Sequence, residues 1–157
     1  MRFVIQVVKE ASVKVEGETI GQIGKGYLVL IGVSDSDTEA VADKMIRKMT
    51  GLRIFADENG KTNLSLADVG GSLLLVSQFT LYANCKKGNR PSFIEAGAPD
   101  KGESRYEYII RECRKIGPGF QTGRAGAAIE CGLVYDGPCA LPVEPETLSI
   151  STQGANG

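Results

Sequence analysis

Four short stretches of this chain carry groups that could do chemistry. The first is Ser77-Gln78-Phe79-Thr80, which closes the apolar run Ser72-Leu73-Leu74-Leu75-Val76 and continues to Leu81-Tyr82 without a Gly or Pro to break it. The run is long enough for a buried strand, and it turns polar at its end. Polar groups buried there without partners would cost roughly 1–3 kcal/mol each. Two arrangements avoid that cost. In one, Ser77 and Thr80 bond to neighbouring backbone and Gln78 faces water. In the other, the strand ends at a pocket, with these groups and the Phe79 and Thr80 amides aimed at a substrate. The second stretch, Ala83-Asn84-Cys85-Lys86-Lys87-Gly88-Asn89-Arg90-Pro91-Ser92-Phe93, is a loop carrying the cations Lys86, Lys87 and Arg90. The third is the glycine-rich Thr122-Gly123-Arg124-Ala125-Gly126, and the fourth is Asp136-Gly137-Pro138.

One absence narrows the chemistry: the 157 residues contain no histidine. Ser-His-Asp and Cys-His catalysis are excluded, as is any zinc site built on imidazole. Catalysis must run on carboxylates, Lys, hydroxyls, thiols, backbone dipoles or the substrate itself. The net charge of −1 provides no global basic field, so a nucleic acid would be held by a local patch. Lys86, Lys87 and Arg90 are the candidates, with Arg124 beside them; phosphate contacts give salt-dependent affinity without sequence choice. The structural alternative for each is a solvated charged loop. Phe93 is read either as a pocket wall or as plain core.

The elements that must position these groups follow from patterning. Length and composition, 42% hydrophobic and 24% charged, fit one soluble globular domain, which we place at residues 1–150 with a disordered tail at 151–157. No apolar run approaches the ~20 residues that span a bilayer. The N-terminus opens into a strand-like run and not into a signal peptide. The four cysteines form no C-x-x-C pair and read as reduced, small buried hydrophobes, which favours the cytoplasm. Strands are expected at 2–8, 12–16 and 19–23, the last two joined by a type II′ turn at Gly17-Glu18, and at 27–33, 52–55 and 129–135. Helices are expected after a capping box at Ser36-Asp37-Thr38-Glu39, with Gly51 as the C-terminal cap, and within 101–117. Val41, Met45, Ile46, Met49 and Leu52 form the core stripe of the first helix; Tyr106, Ile109, Ile110, Cys113 and Ile116 form that of the second. Asp57-Glu58-Asn59-Gly60 reads as a turn. Pro142 and Pro145 put the last strand segment at an edge. The count gives a mixed α/β domain, sheet-rich with two main helices. A sheet with too few helices to cover it calls for a partner, most simply a second copy.

The four stretches in this order, with Ala11-Ser12-Val13 and Leu52-Arg53-Ile54-Phe55, resemble the D-aminoacyl-tRNA deacylases, and the resemblance runs from Met1 to about Val143. It implies a homodimer of β/β/α layers with its sites at the subunit interface. It also implies hydrolysis of D-amino acids, and of glycine mischarged on alanine tRNA, from the 3′ end of aminoacyl-tRNA. The expected partners are thus tRNA and a second subunit, with no DNA, membrane, cofactor or metal. Ester hydrolysis needs stabilisation of an oxyanion, which backbone amides can supply; the Phe79 and Thr80 amides, within Ser77-Gln78-Phe79-Thr80, are the candidates. Thr80 as nucleophile would need a base, and none is adjacent in sequence. Attack by water assisted by the terminal ribose 2′-OH is what the resemblance implies. It also implies that Gly137 and Pro138 form a cis pair whose carbonyls enter the neighbouring subunit's pocket and leave no room for an L side chain. The chain departs from the family at Ala125-Gly126-Ala127-Ala128-Ile129, where Phe-Gly-Ala-Asp-Met is common. It departs again at Tyr135, where Asn is common, and at Cys139-Ala140, where Val-Thr is common. These departures bear on pocket shape, and they support a competing reading as an RNA-binding module weakened in catalysis. A third reading is a small esterase or amidase with Thr80 or Cys85 as nucleophile.

Overall fold

The structure, a computed structural model, describes residues 1–117, 120–122 and 128–148. It is a mixed α/β domain. The strands are β1 Arg2–Val15, β2 Glu18–Ile23, β3 Gly26–Gly32, β4 Phe55–Ala56, β5 Thr62–Leu64, β6 Ser72–Ser77, β7 Phe120–Thr122 and β8 Glu130–Val143. The helices are α1 Glu39–Gly51 and α2 Pro99–Arg114, and single 3-10 turns cover Phe79–Tyr82 and Pro145–Thr147. The main sheet runs β2-β1-β3-β6-β7, with β8 on the other side of β1. β3, β6 and β7 are parallel, and β1 is antiparallel to β2, β3 and β8. The parallel β3–β6 pair needs a crossover, which α1 and the short β4–β5 hairpin supply.

The two strands expected at 2–8 and 12–16 are one. Residues 2–8 of β1 pair with β3 and residues 11–15 with β2, with exposed Lys9 and Glu10 between them. This bend wraps β2 and β8 over one sheet face and nearly closes the sheet. Gly21 marks the closest approach: a Cβ there would lie 2.9 Å from Leu74 Cδ1 and 3.2 Å from the Thr122 carbonyl oxygen. The turn between β1 and β2 also differs from expectation. Val15 pairs with Glu18, so the two loop residues are Glu16 and Gly17, with φ of 50° and 78°. Two positive φ values are the type I′ pattern, which suits the strand twist.

The sheet carries a core on each face. Phe3, Ile5, Val7, Tyr27, Val29, Ile31, Leu73 and Leu75 pack with Met45, Met49, Tyr106 and Ile109 of the helices. Val8, Ala11, Val13, Ile23, Leu28, Leu74 and Val76 fill the space beneath the wrapped strands. The expected helical stripes are thus the core faces, except that Ile116 lies beyond α2 and is exposed. Thr38, not Ser36, caps α1, accepting from the Val41 amide, and Gly51 is the last helical residue instead of following the helix. The strand expected at 52–55 shrinks to Phe55–Ala56. Asp57 builds the predicted turn by accepting from the Asn59 and Lys61 amides, which lowers its pKa, the Lys61 bond first.

Tyr27 is fully buried, stacks on Phe55 at 5.2 Å, and its hydroxyl has no hydrogen-bond partner among the described residues. Desolvation pushes its pKa up to about 12. Removing an unpaired buried hydroxyl removes its desolvation cost, so Tyr27→Phe is expected to raise stability by about 1 kcal/mol. Urea unfolding tests this; a lower midpoint would show that the hydroxyl is satisfied.

β8 pairs with β1 alone among the described strands, so its outer edge is open. That explains how Pro142 sits in the ladder opposite Val4, since the lost donor faces outward. The register steps from Gln6–Ala140 to Val8–Tyr135. Asp136 to Cys139 therefore stand opposite the single residue Val7, as an arched bulge on the strand. Cys113 is buried, but Cys85 and Cys131 are exposed, so only one of these three is the buried hydrophobe expected. The side chain of Cys139, and residues 149–157, lie outside the described residues.

Candidate active site

The central strand ends sooner than its sequence announces. β6 stops at Ser77, and Phe79–Tyr82 folds into one 3-10 turn with Gln78 at its N-cap. The Gln78 amide donates to the Ile31 carbonyl at 2.8 Å, which extends the parallel ladder by one bond before the chain turns. The first amides of a helical turn have no acceptor within it. The Leu81 amide donates to the Gln78 carbonyl, but Phe79 N and Thr80 N donate to no described acceptor. Two adjacent donors are thus left free at the end of a rigid core strand, as an anion or oxyanion would require.

The side chains follow neither arrangement weighed from sequence in full. The Gln78 side-chain amide donates to Thr80 Oγ1, so Gln78 does not simply face water and Thr80 does not bond to backbone. Ser77, Gln78 and Thr80 are half-buried, while Phe79 is 57% exposed. Among the described residues no ammonium or carboxylate is hydrogen-bonded to Thr80, so none of them serves its hydroxyl as general base. Among the described residues no three metal-ligating side chains cluster.

The Phe79 ring meets Phe93 edge-on, centroids 5.2 Å apart. Phe93, half-buried, is therefore a wall beside the turn and not plain core. It follows a loop closed by the reciprocal Asn84–Ser92 backbone pair at 2.7 and 2.8 Å. Lys86, Lys87, Arg90 and Pro91 lie on that loop, all exposed. The structure thus brings the basic loop beside Ser77–Thr80. It does not bring Gly137 there: Gly137 crowns the β8 bulge, with no atom of the described residues within 4 Å of an added Cβ. Arg124 and the rest of 123–127 lie outside the described residues, as does the Pro138 side chain. Below the bulge, the Tyr135 hydroxyl donates to Oε1 of buried Gln6 at 2.8 Å, which ties the root of the arch to β1.

Two positioning residues escaped the sequence reading. Arg2 Nη1 donates to the Leu81 carbonyl at 2.7 Å, and its guanidinium lies 4.4 Å over the Tyr82 ring, so it holds the far end of the turn. Gly32 lies under the same turn: a Cβ there would be 3.0 Å from Leu81 Cβ and 3.2 Å from the Tyr82 ring. Gly32→Ala must push the turn outward by a few tenths of an ångström. Since misplacement by about 1 Å can cost ~10²-fold, we expect roughly tenfold lower kcat/KM with little change in melting temperature. An unchanged rate would mean that the turn's position does not matter.

Comparison with known proteins bears on this arrangement. The family model for D-Tyr-tRNA(Tyr) deacylase matches residues 4–144. The chain belongs to that family. It is accordingly an enzyme, a hydrolase of the deacylase class. A D-aminoacyl-tRNA deacylase of Desulfatibacillum aliphaticivorans is 49% identical over 144 residues, covering 92% of this chain and 99% of the relative. That of Clostridium acetobutylicum is also 49% identical over 144 residues, covering 92% and 97%. Among solved structures, a chain described as a c-Myc DNA unwinding element binding protein superposes with a TM-score of 0.86 at 38% identity, covering 92% of this chain and 98% of that one. A probable eukaryotic D-amino acid tRNA deacylase superposes at 0.76 with 17% identity, covering 90% and 97%, which bears on the fold. Both superpositions fit the nearly closed sheet with its two helices.

Proposed function

We propose that the protein hydrolyses the ester of D-aminoacyl-tRNA, and of glycine mischarged on alanine tRNA, as a β/β/α-layered homodimer in the cytoplasm. The observation that carries this reading is the pair of free amides at Phe79 and Thr80, placed by the end of β6 where a developing oxyanion can be met. Water attacks the ester carbonyl, and the terminal 2′-OH of the tRNA assists because none of the described side chains hydrogen-bonded to Thr80 can act as base. The oxyanion accepts from the two amides, the tetrahedral intermediate collapses, and the ribose 3′-oxygen leaves with a proton. Lys86, Lys87 and Arg90 take phosphates of the acceptor end, Pro91 stiffens their loop, and Arg124 is a further contact.

The chiral filter comes from a second subunit. Gly137 and Pro138 stand on an outward bulge with open space around Gly137 in their own chain, and exposed Val134 and Tyr135 flank them on an unpaired edge. An open edge of this length with apolar side chains favours a second copy. In its pocket the Gly137-Pro138 carbonyls occupy the space of an L side chain. Gly137→Ala has room in its own subunit, so we expect an unchanged melting temperature. Activity on D-aminoacyl-tRNA should fall by roughly ten- to a hundredfold, with chiral selection weakened. Rejection of L substrates with full D turnover would remove this role. The overall reading is tested by incubating D- and L-tyrosyl-tRNA with the enzyme in parallel. Hydrolysis of D alone is expected; binding of both without hydrolysis would leave an RNA-binding module instead.

A further inference from the structure

A second cationic site lies at the other end of the domain. A cavity of about 450 Å³ is lined by Lys44, Arg47, Lys48, Gly51, Leu52, Arg53 and Leu148, with no carboxylate among them. Lys44, Arg47 and Lys48 stand at i, i+3 and i+4 on α1, hence on one face. Among the described residues none of the three is in an ion pair, whereas on and after α2 Lys101, Arg105 and Lys115 pair with Asp35, Glu39 and Glu112. Arg53 is held by Asn63, its Nε donating to the Asn63 carbonyl at 2.8 Å and its Nη2 to the side-chain oxygen, so its fork is pre-oriented. Four cations around one concavity, in a chain of net charge −1, form a local field for a polyanion.

Its place in the fold says which one. α1 leaves the C-terminal end of β3, near the Phe79 turn, and its thirteen residues carry it back about 20 Å. Phe55, just beyond Arg53, stacks on Tyr27 at the start of β3, which fixes this end as the opposite one. A duplex presents a phosphate about every 1.7 Å of its axis, so a rigid helix can reach both places at once.

We propose that Lys44, Arg47, Lys48 and Arg53 bind backbone phosphates of the tRNA helix remote from its aminoacylated end. This rests on the deacylase reading, and the test separates the two. The triple variant Lys44→Gln, Arg47→Gln, Lys48→Gln is assayed on D-tyrosyl-tRNA and on 2′(3′)-O-D-tyrosyl-adenosine, and titrated with uncharged tRNA. tRNA binding and kcat/KM on D-tyrosyl-tRNA should weaken about tenfold or more, and the log–log salt slope should fall by about three. Turnover of the adenosine ester should be unchanged. If neither ester is hydrolysed even by the wild-type protein, the deacylase reading fails, and the titration still decides the site. Unchanged tRNA affinity and salt slope would overturn the proposal, leaving these cations to serve the α1 dipole alone. So would binding lost only toward phosphatidylserine vesicles.

Discussion

D-tyrosyl-tRNA ending in 2′-deoxyadenosine is expected to be hydrolysed on the order of 10²–10⁴-fold more slowly than the ribose form, at equal binding. That is the range in which a positioned acid or base contributes. The chain has no histidine, and among the described residues Thr80 Oγ1 bonds only to Gln78, so none of their side chains is placed to replace the missing hydroxyl. The contrast is Thr80→Ala. It removes a side chain but leaves the amide, and should lower kcat only several-fold. Single-turnover rates on both substrates check the pair. Full turnover of the deoxy substrate would place the base on the protein; a dead Thr80→Ala would restore threonine as nucleophile.

The second large effect is expected at a backbone atom. Phe79→Pro deletes one of the two free amides. Phe79 is the first residue of the turn, where Pro is well tolerated, and Gln78 before it has φ −141° and ψ 86°, outside the αR region that a following proline disfavours. The turn should therefore survive. Phe79→Ala removes the same ring and its contact with Phe93 but keeps the N–H. Losing one oxyanion donor costs about 10²–10³ in kcat, so the proline variant should fall below the alanine variant by that factor. Equal rates in the two would mean that the ring, and not the amide, is what matters.

Much of this was legible in the sequence because apolar patterning reports burial. The runs 27–31 and 72–76 announced the central strands, and the Met45-Ile46-Met49 stripe announced the helix over them. Less legible was where the chemistry begins. No residue type at Ser77 stops the strand: Gln78 N still bonds to the Ile31 carbonyl, and the chain turns away only with the Leu81 N to Gln78 carbonyl bond that follows. Nor could spacing show that Arg2, seventy-nine positions away, holds the turn at Leu81, or that Gly32 makes room for it. Asp136-Gly137-Pro138 reads as an interruption. Only pairing to β1 shows that the strand continues on both sides, so that the motif is held out as an arch. Cys85 and Cys131 depart from the expected burial because hydrophobic character alone does not place a residue in the core, and both lie on exposed segments.

The account stands on a pocket whose amides come from one subunit and whose chiral filter comes from the other. Mixing two impaired variants tests it directly. Phe79→Pro and Gly137→Ala subunits, unfolded together and refolded, form mixed dimers in which one of the two sites is wholly native. D-tyrosyl-tRNA hydrolysis should then rise to about a quarter of the wild-type rate, well above either variant alone, with L substrate still refused. A mixture no more active than the average of its parts would contradict a pocket shared between two subunits.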